Sequence, residues 1–539
     1  MSAGATSTAR AVAQWLVDQG VGEVVVAPGS RNAPLSFAWW DAAEAGLVRL
    51  HTRVDERSAA FLALGLTKVG RRAVVVCTSG TAVANLHPAV LEAAHAGLGL
   101  VALTADRPEG LRGTDANQTT DHVGLMGPLV TVADVGTPAE VAALVDPEDE
   151  PLHLNVRLDE PLLPPADAER DWCRPPAPRT IHDALPVSPP LVLAPGPRTV
   201  VVAGDDAGPP ARRVAETGGW PLLAEPTSGA RTGEHALRCY RLLLGATDGD
   251  GAALTAEVER VVVVGRPTLS RPVQRLLARD DVEVVAVPHT GVWSDRAYAV
   301  TTWADAVESE GPGSADLAWL DRWREADRSL GRRLDGLLAA RGDLTPYDVA
   351  GVVSRAVGPG ALLVVGPSNP VRDLDVMARP YPVGERRLVV ANRGLAGIDG
   401  LVSTATGAAL GRPHSSRALA LVGDVTFLHD SNGLVRGPGQ PEPDLTIVVV
   451  NDDGGSIFAT LEQGAPEHAD RFEALFGTPH GVDLASLCAA TRTPHLRVTS
   501  RPELEQALAS PNGGVEVVEA VVGRSDRRAL DEAIRALRP

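Results

Sequence analysis

Two apolar segments in the last third of the chain each end in a residue with a side-chain oxygen. They are Leu419-Ala-Leu-Val-Gly-Asp424 and Leu445-Thr-Ile-Val-Val-Val-Asn451. The separation of Asp424 and Asn451 is close to one strand–helix–strand unit of roughly 30 residues. Adjacent parallel strands would therefore place both side chains at one edge of a sheet. A carboxylate, an amide oxygen and a backbone carbonyl suit a hard cation such as Mg²⁺, with phosphate oxygens and water as its other ligands.

The same residue types also have a simpler interpretation. Gly-Asp and Asn-Asp-Asp-Gly-Gly are typical of turns, and either motif alone favours that alternative. The two motifs in this order and at this spacing favour the metal site. Gly423, Gly454 and Gly455 would then let the backbone come close to a diphosphate.

A second candidate for chemistry is Glu56, in Val54-Asp-Glu-Arg-Ser-Ala-Ala-Phe-Leu-Ala-Leu-Gly65. The segment is an acidic start to an apolar helix. By itself the acid is explained by the positive end of the helix dipole. If Glu56 instead lies next to a cofactor that needs a buried carboxyl group, a catalytic role for Glu56 is favoured.

The elements that must position these residues alternate between short β-branched runs and helical patterns, which is typical of parallel α/β layers. A proline-rich run at 159–197 and a charged helical run at 305–344 predict two linkers. We therefore predict three open parallel-sheet α/β domains at 1–180, 195–325 and 345–539, of which the first and last could be distant copies of one architecture. Predicted strands lie at 23–26, 73–77, 100–104, 199–203, 261–264, 282–287, 362–365, 388–391, 419–422, 445–450 and 515–521, and a final helix at 526–537.

Composition excludes several classes of protein. A net charge of −18 over 539 residues opposes a nucleic-acid partner. No apolar run reaches the roughly 18 residues of a membrane helix, so no membrane insertion is expected. The four cysteines are widely separated, which excludes the usual zinc frameworks and argues against a disulfide scaffold. The first residues lack the order of an export signal, so we expect a cytoplasmic protein.

The paired motifs resemble the thiamine-diphosphate motif of the pyruvate decarboxylase and acetohydroxyacid synthase group. Val425 replaces the last glycine of the usual Gly-Asp-Gly, and Asp452 replaces the second asparagine of Asn-Asn. The resemblance implies a fold with pyrimidine, central and diphosphate domains, thiamine diphosphate, and Mg²⁺ or Mn²⁺. It also implies that Glu56 shares a proton with N1′ of the aminopyrimidine ring, which activates the cofactor's reactive carbon.

Four further loops, at 27–35, 104–121, 366–373 and 391–407, narrow the resemblance. With the two motifs above, they look like those of the 2-succinyl-5-enolpyruvyl-6-hydroxy-3-cyclohexene-1-carboxylate (SEPHCHC) synthases of menaquinone biosynthesis. The resemblance implies a transferase that decarboxylates 2-oxoglutarate and adds the resulting succinic-semialdehyde carbanion to isochorismate. The middle domain contributes nothing to this resemblance.

Roles are carried over only onto matching positions. Catalytic roles fall on Glu56, Gln118 and Arg393, and metal ligation falls on Asp424, Asn451 and the main-chain carbonyl of Asp453. Substrate binding falls on Ser30, Arg31, Arg107, Asn117, Ser368 and Arg372. Cofactor binding falls on Glu56, Ile398, Gly423, Asp424, Thr426, Phe427, Gly455, Ser456 and Ile457.

The chemistry of the implied substrates supports a binding role for the arginines in this set, because both substrates are dicarboxylates and a guanidinium presents forked donors. The chain is rich in arginine, so each one also has the alternative of lying on a solvated surface. Ile398 matches the apolar residue that bends the cofactor, and an ordinary core isoleucine is its alternative. Free N–H groups near Thr426 and Phe427, at a predicted helix start, would receive the diphosphate.

The resemblance further implies a homo-oligomer, a dimer or a dimer of dimers (a homotetramer), with active sites at the subunit interface. Two other functions stay open at this point. One is another thiamine-diphosphate 2-oxoacid decarboxylase or an acetohydroxyacid synthase-like enzyme. The other is a non-catalytic nucleotide-binding or regulatory module on the same scaffold, which the absence of GxGxxG and P-loop motifs disfavours.

Overall fold

The computed structural model describes residues 4–176, 188–293, 295–385 and 387–539. Three parallel sheets of six, five and six strands form the framework, with helices packed around them. The predicted α/β class is therefore confirmed. Residues 177–187, which contain the predicted end of the first domain and part of the first linker, lie outside the described residues.

The N-terminal unit is built on the first six-stranded sheet. Its strands are β1 (Glu23–Val26), β2 (Arg49–Thr52), β3 (Ala73–Cys77), β4 (Val101–Asp106), β5 (Thr131–Val135) and β6 (Leu152–Arg157), in the order β2-β1-β3-β4-β6-β5. Its helices are α1 (Ala5–Asp18), α2 (Ala33–Glu44), α3 (Glu56–Lys68), α4 (Thr81–Ala96), α5 (His122–Leu125) and α6 (Pro138–Ala142). The strands β1, β3 and β4 are buried along their whole length, as expected for a parallel sheet covered on both faces.

The described part of the central unit has seven strands: β7 (Leu191–Leu193), β8 (Thr199–Ala203), β9 (Leu222–Ala224), β10 (Arg260–Val264), β11 (Glu283–Ala286), β12 (Thr302–Trp303) and β13 (Val307–Ser309). Five of them form one sheet in the order β12-β11-β10-β8-β9. Its helices are α7 (Gly208–Gly218), α8 (Tyr240–Gly245), α9 (Gly249–Ala256) and α10 (Arg271–Leu277), followed by the long α11 (Ser314–Ala339).

Two details of the predicted linkers are wrong. The strand β7 lies inside the proline-rich run, and it pairs in parallel with β13. The strand β13 in turn occupies the start of the run predicted to be helical, so the connecting helix begins only at Ser314. Two short segments far apart in sequence thus form backbone hydrogen bonds with each other.

The C-terminal unit contains the third sheet. Its strands are β14 (Leu362–Val365), β15 (Leu388–Val390), β16 (Ala418–Gly423), β17 (Leu445–Asn451), β18 (His495–Val498) and β19 (Val515–Val521), in the order β15-β14-β16-β17-β19-β18. Its helices are α12 (Pro346–Ala356), α13 (Asn369–Met377), α14 (Leu401–Gly411), α15 (Asp424–His429), α16 (Ala469–Phe472), α17 (Leu484–Ala490), α18 (Arg501–Ala509) and α19 (Arg527–Arg535). Counted within each unit, the strand order is identical in the N-terminal and C-terminal sheets.

These two units contact each other through α3 and α14. A Cβ on Gly65 would lie 2.1 Å from the carbonyl oxygen of Thr404, and one on Gly407 would lie 2.0 Å from that of Leu62. Glycine therefore permits the backbones of the two helices to approach closely. The helix that begins at Glu56 is held in place by this contact.

In the described residues, no helix combines the length and apolar character required to cross a membrane. The exact domain boundaries at 180, 195, 325 and 345 stay predictions.

Candidate active site

Asp424 and Asn451 lie at the same edge of the C-terminal sheet. The strands β16 and β17 are parallel neighbours, with Gly423 opposite Val450. Asp424 directly follows β16, and Asn451 is the last residue of β17. The strand–helix–strand spacing therefore places the two oxygen-bearing side chains together, as the sequence predicted.

The Asp424 carboxylate is buried, with 3% of the residue exposed. It accepts hydrogen bonds from the backbone N–H groups of Val425, at 2.7 Å, and Gly454, at 2.9 Å. The His480 Nε2 atom lies 3.2 Å from its Oδ2. Burial raises the pKa of Asp424, and the two backbone hydrogen bonds oppose that rise.

Asp452 adds a second, half-buried carboxyl group beside it. Burial, and then the charge of Asp424, raise the pKa of Asp452 to about 7. Its Oδ1 atom is buried and has no hydrogen-bond partner among the residues that the structure describes. Two adjacent carboxyl groups, one of which has a buried oxygen without a donor, are what a bound cation would compensate.

The other two predicted metal ligands present oxygens next to this pair. Asn451 donates its amide to Glu519 Oε1 at 2.6 Å, and its Oδ1 accepts from the backbone N–H of Asp453 at 3.0 Å. The Asp453 carbonyl accepts from Arg524 Nη1 at 2.7 Å. Each of these oxygens has a second lone pair. The donor set is all oxygen, which fits Mg²⁺ or Mn²⁺.

A cavity of about 170 Å³ adjoins this edge. Most of the predicted cofactor-binding residues line it: Ile398, Gly423, Asp424, Thr426, Gly455, Ser456 and Ile457, together with Ser368. Phe427 does not, because its side chain is fully buried in the core of the C-terminal unit. Only the backbone of Phe427 is therefore available to contact a cofactor. Asn369 Nδ2 donates a hydrogen bond to Ser456 Oγ at 2.8 Å.

The three glycines of this region have different surroundings. A Cβ on Gly423 would meet nothing within 4 Å. A Cβ on Gly454 would lie 2.1 Å from the Gly477 carbonyl oxygen, and one on Gly455 would lie 2.3 Å from that of Phe476. The glycines at 454 and 455 therefore allow residues 476 and 477 to approach closely, and the close approach of a diphosphate to the three glycines stays a prediction.

Glu56 is the first residue of α3, and Asp55 caps that helix by accepting from the Arg57 N–H at 3.0 Å. Arg57 Nη2 donates to the His429 carbonyl oxygen at 2.6 Å, which joins the start of α3 to the end of α15. Glu56 is half-buried and lies close to Cys77, whose thiol pKa is raised by burial and then by the Glu56 charge. No described residue of the N-terminal unit lines the cavity beside Asp424.

The predicted substrate residues of the N-terminal unit gather at the carboxyl ends of its strands. Arg107 donates to Ser79 Oγ at 3.0 Å and to the Asn117 carbonyl at 2.6 Å. Burial, and then the charge of Arg31, lower the pKa of Arg107, so the two guanidinium groups are neighbours. Arg31 also donates to the Leu158 carbonyl at 3.1 Å. Ser30 and Gln118 are exposed.

A second group of arginines lies in the C-terminal unit. Arg372 Nη1 donates at 2.5 Å to the carbonyl of Ser368, and Ser368 lines the cavity beside Asp424. Burial, and then the charges of Arg241 and Arg393, lower the pKa of Arg372 to about 10, and Arg271 contributes in the same direction. Arg393 is buried and donates to the Thr268 hydroxyl.

Sequence reasoning missed several members of this site. Arg241 and Arg271 come from the central unit, which carries no recognised motif, and only the packing of that unit against α13 reveals them. His480 lies in a loop that none of the motifs covers. Its ring contacts both Asp424 and Asp453, the latter at 3.5 Å from Nδ1.

Three predicted site residues have backbone conformations that non-glycine residues rarely adopt. The φ angle is 55° at Gln118, 67° at Ser368 and 58° at Asp453. Such conformations persist where the surrounding structure determines them, and they cluster at functional sites.

Known proteins resemble this chain over its whole length. The family model of the thiamine pyrophosphate enzyme N-terminal TPP binding domain matches residues 6–125, and that of the C-terminal TPP binding domain matches residues 375–519. The SEPHCHC synthase of a Nocardioides species is 65% identical, over 99% of this chain and 98% of that protein. Those of Kineococcus radiotolerans and Saccharopolyspora erythraea are 46% and 43% identical, each over 98% of both chains.

The chain belongs to the SEPHCHC synthase family. It is a thiamine-diphosphate enzyme of the transferase class, and the three-sheet fold is that of the thiamine-diphosphate enzymes. The residues beside Asp424 fit the cofactor of a SEPHCHC synthase, since the adjacent carboxyl pair, the oxygen donor set and the open space at Gly423 are all present.

Proposed function

We propose that the chain releases CO₂ from 2-oxoglutarate and joins the remaining four-carbon unit to isochorismate, giving SEPHCHC. The observation that carries this proposal is the arginine cluster around Arg372, which contacts the lining of the Asp424 cavity at Ser368. Clustered guanidinium groups in a partly buried site repel each other unless anions bind between them. Two dicarboxylate substrates supply those anions.

Each residue then has a defined task. Asp424, Asn451 and the Asp453 carbonyl would hold Mg²⁺ or Mn²⁺, and the N–H groups at the start of α15 would face the diphosphate. Thiamine diphosphate, when bound, supplies a nucleophilic carbon and an electron sink. Glu56 holds a proton at its carboxyl group for exchange with the aminopyrimidine N1′. Ile398, which lines the cavity, would support the cofactor.

The arginines and their neighbours orient the substrates. Arg31 and Arg107 present donors from the N-terminal unit, with Ser30, Asn117 and Gln118 beside them. Arg372 and Arg393 present donors from the C-terminal unit, and Arg241 and Arg271 extend that positive surface. Forked donors on a carboxylate fix its orientation as well as its position.

A direct assay tests the reaction. With thiamine diphosphate and Mg²⁺, CO₂ release from 2-oxoglutarate is expected to require isochorismate, and mass spectrometry should find the joined product. A rate indifferent to isochorismate would indicate another thiamine-diphosphate decarboxylase or an acetohydroxyacid synthase-like enzyme. Cofactor binding without turnover of any 2-oxoacid would indicate a non-catalytic module.

We further propose that the working enzyme is a dimer or a dimer of dimers, with each active site shared between subunits. The described lining of the Asp424 cavity comes from the C-terminal unit alone. A larger cavity of about 950 Å³ lies beside Val54, two residues before Glu56. Exposed apolar side chains line it, with Phe37 47%, Trp40 52% and Val54 70% exposed. Such patches are typical of subunit interfaces.

Mixed oligomers test the shared site. Subunits carrying Glu56→Gln and subunits carrying Asp424→Ala are each expected to be nearly inactive alone. Mixed dimers, purified through a different affinity tag on each subunit, should recover about half of wild-type activity, because each mixed dimer has one intact site out of two. No recovery would place Glu56 and Asp424 of one chain in the same site.

A cytoplasmic location is also proposed. All four cysteines are buried free thiols, which is typical of a reducing compartment.

A further inference from the structure

A separate cavity of about 380 Å³ lies where the central and C-terminal units meet α11. Five arginines line it: Arg238, Arg355, Arg379, Arg387 and Arg501. They come from the central unit, from α12, from the segment after α13, from the segment before β15 and from the start of α18. No element of local sequence groups them, so their convergence is a property of the fold.

The acidic groups nearby do not neutralise this cavity. Of its lining residues, Asp335 and Asp348 are acidic. Asp335 is shared between Arg238, at 2.9 Å, and Arg379, at 2.7 Å. Asp348 is engaged in capping α12, where its Oδ2 accepts from the Thr345 hydroxyl at 2.6 Å. In a chain with a net charge of −18, the five arginines of this lining outnumber its two acidic residues.

Two more carboxylates stand just behind the lining. Glu505 Oε1 accepts from both Arg501 Nε, at 3.0 Å, and Arg355 Nη2, at 3.3 Å. Glu385 accepts from Arg387 Nη2 at 3.0 Å. The Glu505 carboxylate is thus shared by two arginines, as the Asp335 carboxylate is.

Several guanidinium donors are left unused. Within the described parts of the chain, both terminal nitrogens of Arg501 and the Nη1 of Arg379 make no hydrogen bond. Arg238 is only 7% exposed and lies behind them. The Arg387 guanidinium stacks on the Tyr381 ring at 4.5 Å, and the hydroxyl of Tyr381 lies 3.4 Å from that of Ser354. The Tyr381 ring and the hydroxyl groups of Tyr381 and Ser354 therefore line the same cavity as the unused donors of Arg379 and Arg501.

We propose that this cavity binds a small polyanion, a molecule with two or more carboxylate or phosphate groups. Forked guanidinium donors from separate elements match such acceptors, and a bound polyanion would relieve the mutual repulsion of the arginines. The site is distinct from the candidate active site, because Met377, which lines it, is the last residue of α13, whereas Ser368 is the N-cap residue of that helix. At about 1.5 Å per residue, the nine residues of α13 span about 13 Å.

Calorimetry on the full chain, saturated with thiamine diphosphate and Mg²⁺, tests the proposal. Citrate and inorganic phosphate are titrated separately, so that the two arms distinguish a polycarboxylate from a phosphate ligand. Wild type is expected to bind at least one of them, and Arg379→Gln combined with Arg501→Gln should weaken that binding about tenfold or more. Both side chains are more than half exposed, at 69% and 51%, so folding should be preserved.

A matched control removes two charges from the same region. Arg328→Gln with Arg332→Gln changes two arginines of α11 that face Glu325 and do not line the cavity. This variant should bind as wild type does. Absence of binding in wild type, or equal weakening in both double variants, would overturn the proposal.

Crystals soaked in selenate give an independent readout. An anomalous peak among Arg238, Arg379 and Arg501 is expected. A peak confined to the arginines around Arg372, with none in this cavity, would contradict the assignment.

Discussion

Glu56→Gln is expected to lower turnover by about 10²- to 10⁴-fold, the usual contribution of a general acid–base group, and to leave cofactor binding nearly unchanged. Glutamine preserves the size and hydrogen-bonding capacity of the side chain, but it cannot exchange a proton with N1′. Steady-state rates with 2-oxoglutarate and isochorismate measure the first effect. Titration with thiamine diphosphate at saturating Mg²⁺ measures the second.

Glu44→Gln provides the matched control for this experiment. Glu44 ends α2 in the same unit and is exposed, so the identical chemical change there should leave turnover as in wild type. Near-normal turnover of the Glu56 variant would remove Glu56 from the mechanism. A parallel loss of cofactor affinity would instead assign Glu56 a binding role.

Asp424→Ala is expected to weaken the Mg²⁺-dependent affinity for thiamine diphosphate by about 100-fold or more. Loss of even an outer partner of a metal ligand costs about 10- to 100-fold, and Asp424 is proposed as a direct ligand. The variant also removes the acceptor for the Gly454 and Val425 N–H groups. Asp424→Asn, which retains a side-chain oxygen, separates this local effect from the loss of charge.

The measurement is a Mg²⁺ titration at fixed thiamine diphosphate, repeated with Mn²⁺. Melting of the cofactor-free proteins checks that each variant folds. Asp470→Ala, an exposed aspartate at the start of α16, serves as the control and should titrate as wild type does. An unchanged apparent Mg²⁺ affinity in both Asp424 variants would exclude that residue from the metal shell.

Most of the central strands were predictable because both of their faces are buried. The runs Glu23–Val26 and Ala73–Cys77 contain hardly any polar residues, and the structure confirms them with identical bounds. Among the described residues, eight strands were missed: β2, β5, β6, β7, β9, β12, β13 and β18. Five of them (β2, β5, β9, β12 and β18) lie at an edge of a sheet, and β7 and β13 form a separate pair. The strand β6 is internal, but the polar residues His153 and Asn155 interrupt its apolar pattern.

The proximity of Asp424 and Asn451 also followed from sequence, because a strand–helix–strand connection brings the ends of neighbouring parallel strands to one edge of the sheet. The cofactor and the family could thus be predicted from the ordered oxygen-bearing residues, the acid that starts α3 and the loop motifs. All of these are local patterns, and local backbone geometry positions them.

Tertiary structure alone decided the contacts between units. It placed Arg241 and Arg271 beside Arg372, set His480 against Asp424, and explained Gly454 and Gly455 by the approach of residues 476–477. It also assembled the arginine-lined cavity at α11 from five separate elements. Such contacts join residues far apart in sequence, and they form only when whole helices and sheets pack against one another. No local spacing or periodicity encodes that packing.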